Sequence, residues 1–139
     1  MTVASLMNSN VLTVAPETVL PQAVRLLTHY DIGALPVVQA DGLLRGIVTD
    51  RDMLTRSVAL ESELGMLTVG EVMTRAVVSI PPDADVREAA AVMGVHRVRR
   101  LPVTKHGRLV GVITLADLAR AKSCDAEASL ALGKISRPR

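Results

Sequence analysis

Aromatic side chains are nearly missing from this chain, which has no tryptophan, no phenylalanine and a single tyrosine, Tyr30. Because its 139 residues are still 49% hydrophobic, the core must be filled by Val, Leu, Ile, Met and Ala. Single-stranded nucleic acid is usually bound by stacking the bases on aromatic rings, so their absence argues against an RNA-binding role. A planar ligand would have to lie between aliphatic walls.

Cysteine and long apolar runs are equally scarce. Cys124 is the only cysteine, so no intrachain disulfide can form. No run approaches the roughly 20 apolar residues that span a bilayer, and residues 1–10 lack the charged and apolar regions of a secretory signal. We therefore expect a soluble, cytoplasmic protein without a membrane partner.

Patterns typical of catalysis or metal binding are also absent from the sequence. His29, His96 and His106 do not have the spacing of metal ligands, and a single cysteine cannot complete a zinc site. Asp50 and Asp52 lie close together, but no positioned histidine, nucleophile motif or Gly-rich phosphate loop accompanies them. We expect no enzyme activity, no catalytic cofactor and no metal.

Charge of one sign is not concentrated anywhere. The formal net charge is +2, and the excess is spread over both halves and the tail. This mild bias suits a small anionic ligand or a solvated surface better than nucleic acid. Binding of single-stranded RNA through the arginines remains only a third alternative.

What the sequence does contain is one unit written twice. Residues 2–37 align with residues 68–103 at an offset of 66, and both copies include the triplet Leu-Pro-Val. Beyond a turn one residue shorter in the second copy, both end alike, as GIVTDRD and GVITLAD. The predicted organisation is repeat 1 at 1–60, a connector at 61–67, repeat 2 at 68–122 and a C-terminal tail at 123–139.

Each copy predicts elements in the order β-α-β-β-α, preceded by a short helical turn. Brief strands at 11–14 and 77–80 lead into helices with apolar residues at helical spacing. Hairpins follow, turning at Asp41-Gly42 and His106-Gly107, before closing helices at 50–59 and 115–122. A unit of about 60 residues buries too little surface to be stable alone, so we expect the two to pack through their sheets.

The repeated Thr-x-x-Asp ending has two interpretations. Thr49 with Asp52, and Thr114 with Asp117, can simply cap the helix that follows each strand. Alternatively, the hydroxyl and the carboxylate point to the same end of the sheet, beside free N–H donors that favour an anion. A carboxylate there can accept both hydrogens of a vicinal diol, as in a ribose.

The paired units, the Leu-Pro-Val triplets and the two Gly-x-x-Thr-x-x-Asp endings resemble tandem CBS domains, together called a Bateman module. The resemblance extends to about residue 122 and implies a stand-alone module. It implies an α/β (α+β) fold of two pseudo-two-fold-related CBS repeats packed through their sheets. It also implies an adenosine-containing ligand in the clefts between the repeats: AMP, ADP or ATP, or else S-adenosylmethionine or a dinucleotide such as NAD.

The resemblance further implies roles for individual residues. Asp52 and Asp117 correspond to ribose ligands, and Thr49 and Thr114 to phosphate or ribose contacts. The adenine is implied to lie against the first strand of the partner repeat and the residues before the Leu-Pro-Val triplet. Those positions are Asn10, Val11 and Ile32 for one cleft, and Ala76, Val77 and Val98 for the other.

Arginines distinguish the second copy, in which Arg99 and Arg100 replace Gly33 and Ala34. In proteins of the resembled family, basic side chains just before this strand often hold ligand phosphates, and a planar, permanently charged guanidinium suits that role. The cleft of the second motif is therefore expected to be the electropositive one, and that of the first to be weaker or empty. The alternative is a solvated edge, including Arg97, that protects the strand from aggregation.

We therefore expect a regulatory sensor in which an adenosyl ligand alters packing against a partner, such as a separately encoded enzyme or transporter. The Ala-rich helix at 86–93 would allow close helix packing, which predicts a homodimer. The alternative function, from a different class, is a dimerisation or docking adaptor with vestigial clefts.

Overall fold

The computed structural model describes residues 1–59, 64–121 and 132–135. The predicted connector residues 61–63, Cys124 and most of the predicted tail lie outside the described residues. The chain forms two compact units: unit 1 is Met1–Val11 with Val78–Arg139, and unit 2 is Leu12–Val77. Each unit joins the hairpin and helices of one sequence repeat to the opening segment of the other. The compact units therefore divide the chain at different points from the repeats.

Apart from the first strand of each copy, the helices and strands follow the predicted order. In chain order they are α1 (Val3–Leu6), α2 (Leu20–Tyr30), β1 (Ala34–Val38), β2 (Leu44–Thr49), α3 (Asp50–Ala59), α4 (Val69–Val72), α5 (Val86–His96), β3 (Arg100–Lys105), β4 (Arg108–Thr114) and α6 (Leu115–Arg120). A 3₁₀ turn at Leu64–Met66 precedes α4, and residues 132–135 form one helical turn. The prediction of a mixed helix and strand fold with two small sheets is confirmed.

Each sheet is an antiparallel hairpin, β1 with β2 and β3 with β4. The turn of the second hairpin contains only His106 and Gly107, and both have positive φ, at 53° and 79°. That pattern is the requirement of a type I′ turn, whose twist matches that of the flanking strands. The predicted hairpins are thus confirmed.

The predicted strands at 11–14 and 77–80 are wrong as continuous strands. Each is reduced to one parallel bridge, Val14 to Val37 and Ile80 to Val103. Val14 donates its N–H to the carbonyl of Pro36 at 3.1 Å and accepts the N–H of Val38 at 2.8 Å. Extending this ladder by one step would require an N–H from Pro36, which proline does not have. In the second copy Pro102 limits the pairing of Ile80 in the same way.

Equivalent residues form the cores of the two units. In unit 2, Leu35, Val37 and Val48 of the hairpin are fully buried, and in unit 1 Leu101, Val103 and Ile113 take their places. The opening segments complete these cores, since α1 contributes the buried Val3 to unit 1 and α4 contributes Val69 to unit 2.

Two of the three alanines in the Ala-rich helix α5 face the core of their own unit, whereas Ala91 is exposed. Ala89 and Ala90 are buried within the core of unit 1, packed with Met93. These two alanines are therefore not available to a second copy.

A glycine in each hairpin allows the opening segment to approach the strand. A Cβ on Gly46 would lie 2.6 Å from the carbonyl oxygen of Thr74, and one on Gly111 would lie 2.9 Å from that of Asn8. The approach is needed because Thr74 exchanges two backbone hydrogen bonds with Ile47, and Asn8 exchanges two with Val112. These bonds attach the opening segment close to the Thr-x-x-Asp end of the hairpin.

Candidate functional site

The second Thr-x-x-Asp motif joins the end of β4 to the start of α6. Thr114 Oγ1 accepts the N–H of Asp117 at 3.1 Å, and Asp117 Oδ2 accepts the N–H of Thr114 at 2.9 Å. This reciprocal arrangement is a capping box, so the capping interpretation is confirmed. The capping box uses only the Oδ2 atom of Asp117. The other carboxylate oxygen, Oδ1, accepts a hydrogen bond from the guanidinium of Arg120.

The first motif has the same local geometry between β2 and α3. Thr49 Oγ1 accepts the N–H of Asp52 at 3.0 Å, and Asp52 Oδ2 accepts the N–H of Thr49 at 3.1 Å. Both aspartate side chains are mostly buried, with 15% of each exposed. The two copies therefore hold their carboxylates alike at the capping oxygen.

Arg100 is brought to the second motif by strand pairing. It lies directly opposite Thr114 in the β3–β4 ladder, so the two side chains project from the same face, with Cβ atoms about 5 Å apart. The carbonyl of the neighbouring Arg99 accepts the N–H of Leu115 at 2.8 Å. Both arginine side chains are exposed. In the first copy, the residue opposite Thr49 is Ala34, so that motif has no basic neighbour at this place.

Unit 1 brings together seven of the twelve predicted site residues. Its members are Asn10, Val11, Val98, Arg99, Arg100, Thr114 and Asp117. The segment containing Asn10 and Val11 reaches this part of the unit through the pairing of Asn8 with Val112, two residues before Thr114. Asn8 Oδ1 accepts the N–H of Asn10 at 3.0 Å, which shapes the segment as it leaves the strand.

Unit 2 contains the other five, Ile32, Thr49, Asp52, Ala76 and Val77. The sequence grouped Asn10 and Val11 with Ile32, and Ala76 and Val77 with Val98. Within the compact units the grouping is different, since Asn10 and Val11 share a unit with Val98, and Ala76 and Val77 share one with Ile32.

Sequence reasoning missed the residues that contact Oδ1 of each motif aspartate, the carboxylate oxygen that takes no part in capping. Thr74 Oγ1 lies 3.2 Å from Oδ1 of Asp52, and Arg56 Nε lies 3.8 Å from the same oxygen. Arg120 takes the corresponding role at Asp117. The available signal was helical spacing, because Arg56 and Arg120 follow their aspartates by four and three residues. The contribution of Thr74 depends on the pairing of distant segments and left no local signal.

Two grooves on unit 2 involve other surfaces. One of about 380 Å³ lies between α2 and α3 and is lined by Val24, Leu27, Thr28, Ile32, Asp50, Met53, Leu54 and Ser57. The other, of about 320 Å³, adjoins residues 13–18, α2 and the end of β1. Ile32 is the only predicted site residue that lines either groove.

The residues in the described ranges show neither of two features that mark other functional classes. Among those residues, no group of three or more His, Cys, Asp or Glu side chains is arranged to hold a metal ion. No helix in the described ranges is both long and apolar enough to cross a membrane.

The family to which the chain belongs is shown by a match to a known family model. The family model of the CBS domain matches residues 3–59 and 69–123, the two copies recognised in the sequence. This chain belongs to the CBS domain family. The sequence-based resemblance to a tandem CBS protein is therefore confirmed.

Relatives of this CBS protein include single-module proteins and solved structures. It is 37% identical over 130 residues to the CBS domain-containing protein YhcV of Bacillus subtilis, covering 94% of this chain and 91% of YhcV. The structure of Hypoxic Response Protein I with two coordinated zinc ions has a TM-score of 0.78 and 36% identity, covering 86% of this chain and 98% of that one. CBSX2 in complex with AMP gives a TM-score of 0.76 at 29% identity, covering 86% and 93%.

Proposed function

We propose that this CBS protein is a non-enzymatic regulatory module that binds an adenosine-containing ligand, AMP, ADP or ATP first among them, through the Asp117 end of unit 1. The proposal assigns the ribose diol to Asp117, the phosphates to Arg100 with Arg99 and Thr114, and the adenine to the apolar surface near Val11 and Val98. It includes a cytoplasmic location, as the single cysteine suggests.

The observation that carries the proposal is the convergence of Arg100, Thr114 and Asp117 at one end of the β3–β4 hairpin. A nucleotide presents both a diol and an anion, and these residues offer a carboxylate and a guanidinium at the same end of the hairpin. The guanidinium provides a fixed charge with several donors, which suits a phosphate. The CBSX2 complex supports the ligand class, since that related protein was solved with AMP bound.

Calorimetric titration of AMP, ADP, ATP and S-adenosylmethionine into the protein tests the proposal. We expect micromolar binding of at least one ligand, and a loss of at least tenfold in affinity for Asp117→Asn. Asp85→Asn is the matched control, because Asp85 also caps a helix of unit 1, accepting the N–H of Arg87 at 2.8 Å, but lies at the start of α5. The absence of binding by every ligand, or equal losses in the two variants, would contradict the proposal.

A second candidate is the adaptor function, and a specific surface of unit 2 favours it. Val24 and Leu54 are exposed apolar residues that line the 380 Å³ groove between α2 and α3. Tyr30 of α2 and Val58 of α3 are exposed as well, and Leu54 and Val58 are each 68% exposed. Apolar patches of this kind commonly mark protein interfaces. We propose that a second copy of the chain covers this face, giving a homodimer that could also dock to a separately encoded enzyme or transporter.

Analytical ultracentrifugation tests the dimer. The wild type should sediment as a dimer, and Leu54→Asp should shift it towards monomer because a charge would be buried in the interface. Met66→Asp is the matched control, since Met66 is as exposed but lies in the 3₁₀ turn. A monomeric wild type at high concentration, or a dimer unaffected by Leu54→Asp, would remove this interface from the proposal.

A further inference from the structure

The two motif aspartates differ in what meets the carboxylate beyond the capping box. Thr74 Oγ1 lies 3.2 Å from Oδ1 and 3.3 Å from Oδ2 of Asp52, so its hydroxyl can donate to either oxygen. With the N–H of Thr49 on Oδ2, both oxygens of this carboxylate have donors from the protein. The Thr74 hydroxyl therefore takes up part of the accepting capacity of this carboxylate, and a ribose diol at Asp52 would have to compete with it.

Arg56 contacts both Asp52 and Thr74, and also the backbone next to Thr74. Its Nη1 donates to the carbonyl of Met73 at 2.7 Å, its Nη2 lies 3.4 Å from Thr74 Oγ1, and its Nε lies 3.8 Å from Asp52 Oδ1. The guanidinium therefore connects α3 to the segment that follows α4. Asp52, Thr74 and Arg56 together form what we call the α3 brace.

The second copy lacks the residues of this brace. The position of Thr74 is taken by Asn8, which has the same backbone pairing to the strand but directs its Oδ1 to the N–H of Asn10. The position of Arg56 is taken by Ala121. Oδ1 of Asp117 instead meets Arg120, whose side chain is 73% exposed. A single exposed side chain can move away from the carboxylate at little cost.

We infer that Asp52 is a structural brace residue rather than a ligand residue, and that the side chain at position 8 or 74 decides between these roles. Thr74 closes the first motif, whereas Asn8 leaves Asp117 open to a diol. The chain consequently takes one adenosyl ligand, at Asp117. The ligand half of this inference rests on the proposed function, and the brace half does not.

The brace is tested by a double-mutant cycle on denaturant unfolding, with Thr74→Val and Asp52→Asn. The hydroxyl-to-carboxylate bond should couple the two substitutions by at least fivefold in the unfolding equilibrium constant, as expected for a bond to a charged group. The matched cycle, Asn8→Ala with Asp117→Asn, should give a coupling below twofold. Equal couplings in the two cycles would overturn the brace.

The ligand half is tested by titrating AMP and ATP. The wild type should bind one nucleotide per chain, and Asp52→Asn should retain the affinity within twofold. Asn8→Thr should place a hydroxyl against Asp117 and weaken binding at least fivefold. Asn8→Ser provides a second variant that carries the hydroxyl without the methyl group and should act in the same direction.

The outcomes separate this inference from the proposed function. Two nucleotides per chain, or a tenfold loss in Asp52→Asn, overturn the inference while leaving nucleotide binding intact. If Asn8→Thr and Asn8→Ser bind as well as the wild type, position 8 does not control the site and the inference is wrong. If the wild type binds neither nucleotide, and neither ADP nor S-adenosylmethionine, the proposed function and the single-ligand claim both fail, and the two unfolding cycles decide the brace alone.

Discussion

A few side chains give the two copies of the repeat different chemistry on the same backbone. Opposite the motif threonine, the first copy has Ala34 and the second has Arg100. In the first copy the hydroxyl of Thr74 lies against Oδ1 of Asp52. The corresponding residue of the second copy, Asn8, instead accepts a hydrogen bond from the N–H of Asn10 in its own segment. The first motif therefore has Thr74 and Arg56 against its carboxylate, whereas the second has, among the described residues, only the exposed Arg120 beyond its capping box.

Arg100 should contribute to binding through phosphate alone. Replacing it with alanine, the residue of the first copy, should weaken ATP about tenfold, as for one charge-assisted hydrogen bond, and adenosine less than twofold. Parallel titrations of the two ligands measure the difference. Arg25→Ala removes the same charge from an exposed position on α2 and should change neither affinity. Equal losses for ATP and adenosine would remove Arg100 from the phosphate site.

At the residue level, the sequence predicted types of side chain better than their contacts. The resemblance assigned Arg100 to the cleft of the second motif, but its position directly opposite Thr114 came from the hairpin register seen in the structure. The Thr74–Asp52 contact spans 22 positions and depends on a backbone approach. No local pattern of residues indicates such a contact, so the different roles of Asp52 and Asp117 became visible only in the structure.

Among the elements, the opening segments are those whose position is most restricted by close backbone contacts. Each carries a single helical turn, α1 or α4, whose buried valine completes a core. Each then exchanges two backbone hydrogen bonds with a strand at a point where only glycine fits. The attachment of these segments to the hairpins is therefore sensitive to added volume.

Gly46→Ala should destabilise the protein by about 2 kcal/mol or more, because its Cβ would lie 2.6 Å from a backbone carbonyl oxygen and the segment must move. Gly65→Ala is the control, since a Cβ there meets nothing within 4 Å, and it should change stability by less than about 0.5 kcal/mol. Chemical denaturation measures both. A neutral Gly46→Ala would mean that the close approach is not required.

The elements were predictable where local pattern and tertiary pairing agree. The helices α2 and α5 and the two hairpins follow from apolar spacing and turn residues, and all of them form. The strands at 11–14 and 77–80 have the right composition but only one bridging residue each. The reason lies outside those segments, in Pro36 and Pro102 of the neighbouring strands, which cannot donate to a longer ladder.

The chain as a whole interleaves its two repeats. Residues 1–11 belong to the unit built around the second hairpin, and residues 12–77 belong to the unit built around the first. The repeats are clear in the sequence, but a linear alignment does not show which opening segment completes which core. The organisation therefore makes each repeat dependent on the other for its fold.

Separate fragments 1–60 and 61–139 should each fail to unfold cooperatively, because each lacks a segment that its core requires. Mixed or co-expressed, they should associate and recover a cooperative transition, measured by circular dichroism during denaturation. The interleaved organisation would be contradicted if fragment 61–139 alone unfolded cooperatively with the stability of the intact chain.

A crystal structure of the protein grown with AMP tests the central claim most directly. The account predicts one nucleotide per chain, with its ribose hydroxyls within hydrogen-bond distance of the Asp117 carboxylate and its phosphate beside Arg100. Asp52 should keep its contacts with Thr74 and Arg56. A nucleotide seated on Asp52, or one bound away from Asp117, would contradict the account.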